Sequence, residues 1–60
     1  MLLVVLLNEG VPYEGGRKEI RITGVDRTAV VGDELIAYRD GDQKAKFKLA
    51  DIRNHHLEED

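Results

Sequence analysis

Residues 35–49 read LIAYRDGDQKAKFKL, and the class of fold follows from this stretch. Ala45, Phe47 and Leu49 alternate with Lys44, Lys46 and Lys48, the period-two pattern of a strand with one dry face and one wet face. Residues 35–39 form a second strand-length run, and Asp40-Gly41-Asp42 between the two tolerates the backbone of a tight turn. A Gly41-Asp42 turn sets Arg39 against Lys44, Tyr38 against Ala45 and Ile36 against Phe47, so that Ile36, Tyr38, Ala45 and Phe47 share a face. An Asp40-Gly41 turn shifts the pairs and leaves the apolar side of the later strand unchanged. A β-hairpin is the expected nucleus of the fold.

The pattern extends outward in both directions. In residues 18–24, Ile20 and Ile22 alternate with Glu19, Arg21 and Thr23, as in a half-buried strand. Residues 28–31 make a short third strand, and Gly32-Asp33 with Glu34 connects it tightly to the fourth. Past Leu49 two readings compete: a short helix capped by Asp51, or a corner at Ala50-Asp51 before a last strand over residues 53–57. The corner and strand are preferred. The expectation is one all-β domain over residues 1–60, with at most one short C-terminal helical turn. It is a small antiparallel meander curled into an SH3-like or open barrel. Its expected core is Leu2, Val4, Leu6, Ile20, Ile22, Val30, Ile36, Tyr38, Phe47, Leu49 and Ile52.

Leu2 to Leu7 poses the main difficulty, because it is apolar at every position and both faces of that strand need cover. Leaving Leu3, Val5 and Leu7 wet forgoes roughly 1.5 to 3 kcal/mol each. That rivals the roughly 3 to 9 kcal/mol of stability expected for a whole domain of this length. Either the strand is central to a curled barrel or its second face is buried on another chain. A homo-oligomer, most simply a dimer, or another protein partner is expected, with Leu3, Val5 and Leu7 as candidate interface.

Composition narrows the classes. The 60 residues are 42% hydrophobic and contain no cysteine. That excludes a disulfide framework and a thiolate metal site, and points to a reducing, cytoplasmic setting. The apolar opening lacks a basic leader and a small-residue cleavage site, and is far shorter than the roughly 17 to 25 residues of a membrane span, so a soluble chain is expected. The net charge is −3, unevenly spread. Residues 17–48 hold eight basic and six acidic side chains, and the two ends hold one basic and six acidic.

Catalysis finds little material. There is no Ser or Cys, and the two Thr residues, Thr23 and Thr28, have no local base. His55-His56 with Glu58, Glu59 and Asp60 is the one cluster of metal-ligand type, but adjacent strand residues face opposite ways and chain ends fray, so no metal site, cofactor or enzyme activity is assigned. Residues 10–18 resemble a phosphate loop only faintly. Gly16 and Arg17 stand where Lys and Ser or Thr are needed, so a long connecting loop carrying Tyr13 is expected. Asp40-Gly41-Asp42 lacks the further oxygen ligands of a calcium loop.

Arg21, Arg39, Lys44, Lys46 and Lys48 form a candidate nucleic-acid face. A lysine row that discourages edge-to-edge strand pairing is the simpler reading. In length, in the start Met1-Leu2 and in a strand-rich layout with a late Ala50-Asp51-Ile52 element, the chain is similar in outline to the carbon storage regulator family of small dimeric RNA-binding proteins. The Arg-containing first strand and Gly-Glu turn of that family have no counterpart in residues 3–10, and no functional residue is carried over. A non-catalytic interaction or assembly module is the expected function, with a nucleic-acid-binding β-barrel as the alternative.

Overall fold

The computed structural model describes residues 1–11 and 18–59, so the loop reading built on Pro12, Tyr13 and Gly15 to Arg17 lies outside the described residues. Six strands follow in order: β1 (Leu2–Leu7), β2 (Glu19–Ile22), β3 (Arg27–Val31), β4 (Glu34–Arg39), β5 (Asp42–Lys48) and β6 (Ile52–Glu58). One 3-10 turn, Leu49–Asp51, separates β5 from β6. The strands form two antiparallel three-stranded sheets, ordered β2-β1-β6 and β3-β4-β5, which pack as an open barrel. The expected corner before a last strand is present, with β6 running one residue further at each end.

The doubly apolar β1 is the central strand of its sheet. Alternation on β2 fixes which of its faces turns inward: Ile20 pairs with Val5 and Ile22 with Leu3, while Glu19 and Arg21 pair with Leu6 and Val4. On the other side Leu57 pairs with Leu3 and Ile52 with Leu7. Leu3, Val5 and Leu7 therefore join Ile20, Leu35 and Ala37 in the core, and the expected inward set Leu2, Val4 and Leu6 faces outward. Every position of β1 is apolar, so its own period cannot choose a face; its neighbours do.

The same one-residue inversion occurs in β4, where Leu35 and Ala37 join the core cluster while Ile36, still buried, and the half-buried Tyr38 take the other face. The hairpin turns at Asp40-Gly41, since Arg39 pairs with Asp42. Both turn residues have positive φ, 52° and 84°, as a two-residue turn matched to strand twist requires. A register slip between Ala37 and Tyr38 then leaves Lys44 without a partner and restores Ala37 opposite Ala45 and Leu35 opposite Phe47. Without that bulge, facing Ile36 inward would also face Glu34 inward, and a buried unpaired carboxylate is costly. With it, Glu34 meets Lys46 at 3.5 Å on the outer side.

Two further residues differ from the expected core. Val30 is 57% exposed on the edge strand β3. Val25, in the segment that crosses from one sheet to the other, is fully buried; its N–H donates to the Met1 carbonyl at 2.9 Å. Phe47, Leu49 and Ile52 are partly buried against the core, as is Ile22. Asn8 ties the sheets' shared end: its N–H donates to the Asp51 carbonyl and its side-chain amide to that of Ala50, both at 2.9 Å.

Candidate interaction surfaces

Antiparallel pairing brings the outer residues of β2 and β6 to either side of β1. Arg21 and His56 both lie opposite Val4. The Arg21 guanidinium sits 3.4 Å from Glu19 and 3.7 Å from Glu58, and Glu58 in turn lies 2.8 Å from His56 Nε2. This ladder of side chains spans the sheet, and Val4 beneath it is only 1% exposed. Apolar stems below charged tips are a common cover for such a face. At Val4 the second face of β1 is thus covered within the chain, while Leu2 and Leu6 on the same face are half-buried. Leu3 and Val5, expected to meet a partner, have no exposed surface, and Leu7 has little.

The five cations of the candidate nucleic-acid face divide into three groups. Arg21 belongs to the outer face of the β2-β1-β6 sheet. Lys44, displaced by the bulge, donates from Nζ to the Thr23 carbonyl at 2.7 Å. It shares the space over Gly24 with the Arg39 guanidinium, each having a nitrogen 3.2 Å from where a Cβ on Gly24 would be. Only Lys46 and Lys48 remain on the outer face of the β3-β4-β5 sheet, and Lys46 is paired with Glu34. No single basic stripe results.

His55 and His56 pair with Val5 and Val4 respectively and so take opposite sides of β6. Among the described residues no group of three or more His, Cys, Asp or Glu side chains is placed to hold a metal ion; Asp60 lies outside them. The His56–Glu58 pair sits half exposed on a sheet face, and it lines neither of two hollows on the surface. One hollow, about 290 Å³, is lined by Arg39, Asp40, Asp42, Gln43 and Lys44 at the hairpin tip. The other, about 310 Å³, opens between the sheets over Leu7, Val11, Ile20 and Phe47, with Lys46, Lys48 and Asp51 around it. Among the described residues no helix is long and apolar enough to cross a membrane.

The surface feature that the alternation of the sequence did not disclose is on β3. Val30 and Val31 are 57% and 56% exposed, side by side on an edge strand. The unbroken apolar run Ala29-Val30-Val31 was the available sign, since a short strand that is apolar on both sides must either be central or leave one side wet. Val31, opposite Glu34, shares the outer face with Arg27, whose guanidinium lies 4.1 Å above the Tyr38 ring, while Val30, opposite Leu35, stands at the rim of the inner face. No protein-family model matches the chain, and comparisons with characterised proteins and with solved structures find no significant match.

Proposed function

We propose that this chain is a non-catalytic interaction module of SH3-like form that self-associates, as a homodimer, in a reducing compartment such as the cytoplasm. The observation that carries the reading is the pair of adjacent exposed valines, Val30 and Val31, on an edge strand. A domain this small gains little from wetting two large aliphatic side chains, and burying both in a partner returns roughly 1.5 to 3 kcal/mol each. The non-catalytic part is supported by the lack of Ser and Cys. The absence of cysteine also suits a reducing environment.

Sedimentation equilibrium from micromolar to millimolar protein tests the reading. A mass rising to twice that of one chain is expected, and a single-chain mass throughout refutes self-association. The nucleic-acid alternative draws no support from the dispersed cations.

A further inference from the structure

A three-stranded sheet has two edge strands, which makes four among the described residues: β2 and β6 on one sheet, β3 and β5 on the other. Three of them carry features that discourage pairing with another strand. β5 has Lys44, Lys46 and Lys48 and lies across a bulge. β6 has its own register shift opposite Leu6 and Leu7. β2 is only four residues long and bears Glu19 and Arg21. β3, Arg27–Val31, has no lysine, no proline and an unbroken register with β4.

Which backbone groups β3 offers follows from its hairpin. Val31 and Glu34 flank the Gly32-Asp33 turn, and in a two-residue hairpin the flanking pair exchanges both hydrogen bonds. Bonded pairs alternate along an antiparallel ladder, so Arg27, Ala29 and Val31 bond toward β4, while Thr28 and Val30 turn their N–H and C=O groups to the free edge. The exposed side chain of Val30 thus stands on a residue whose main chain is also unpaired.

We propose that two copies join edge to edge through β3, antiparallel about a two-fold axis at Val30. Their β3-β4-β5 sheets merge into one six-stranded sheet. This deepens the self-association reading and rests on it. In that register Val30 pairs with its own symmetry mate, and Ala29 lies opposite Val31. Arg27 of each copy comes alongside the exposed Asp33 of the other. Two opposite-charge contacts related by symmetry then flank the apolar centre. A two-fold contact of this kind closes on itself, so association stops at the dimer.

Single-cysteine variants read the register directly, because the chain has no native cysteine. Directly paired strand residues have Cα atoms about 4.5 to 5.5 Å apart, within disulfide reach. Val30→Cys is therefore expected to form a disulfide-linked dimer under mild oxidation. Thr28→Cys, whose symmetry mate lies about 13 Å away, is expected to stay largely reduced.

A charge swap gives a second, independent readout. Arg27 and Asp33 are six residues apart along the chain, about 20 Å if extended, so they cannot pair within one copy. Asp33→Arg alone is expected to weaken the dimer roughly tenfold, and Arg27→Asp combined with Asp33→Arg to restore it. If sedimentation shows a dimer but Val30→Cys links no faster than Thr28→Cys and the swap rescues nothing, this edge is not the interface, and the self-association reading stands. If the native chain is a monomer at millimolar concentration, both fall.

Discussion

Val25 and Leu35 are both fully buried although they reach the core by different routes, one from a crossing segment and the other from a central strand. Truncating a buried side chain loses its transfer free energy and leaves a hole. Val25→Ala is expected to cost about 2 kcal/mol, and Leu35→Ala about 2 to 5 kcal/mol. Urea unfolding followed by circular dichroism measures both; the second approaches the stability of the whole domain. Arg21 tests a different kind of contribution. Its ion pairs are half exposed and worth little, while its stem covers Val4. Arg21→Met, which keeps the stem, is therefore expected to cost less than Arg21→Ala, with both within about 1 kcal/mol of the native chain.

The β4–β5 hairpin combines a turn and a bulge, and each has its own test. Gly41 has φ of 84°, a region that a side chain disfavours, so Gly41→Ala is expected to lower stability by about 1 to 2 kcal/mol. Lys44 is the residue left over when Ala37 pairs with Ala45 and Tyr38 with Gln43. Deleting Lys44 keeps Leu35 opposite Phe47, and a folded, less stable protein is expected by thermal melt. Deleting Lys46 keeps Phe47 opposite Leu35 only by losing the bulge, which turns Lys44 inward opposite Ala37, and a larger loss of stability than for the Lys44 deletion is expected. The alternation of residues 44–49 is legible without a structure, and the dry side of β5 follows from it. The dry side of β4 does not, because residues 35–38 are apolar at every position. There the choice falls to Glu34, which reaches solvent and Lys46 only when the bulge is present.

The whole molecule hides in its own core the residues that looked most in need of a partner, and leaves wet Val30, which had seemed internal, together with its neighbour Val31. Its cations are dispersed over both sheets and the hairpin corner. Lys46→Glu with Lys48→Glu is accordingly expected to change no retention on RNA or DNA at low salt, read by filter binding; a loss of salt-sensitive binding would contradict the dispersal. From sequence alone came an all-β chain, the strands and their breaks, the β5 face and the poverty of catalytic groups, because period, turn chemistry and inventory are local properties. Only the tertiary structure decided which side of β1 and β4 is dry, how Val4 is covered and that Val30 and Val31 lie at an edge. Where every residue of a strand is apolar, its own pattern is silent, and the face is chosen by the neighbours it pairs with.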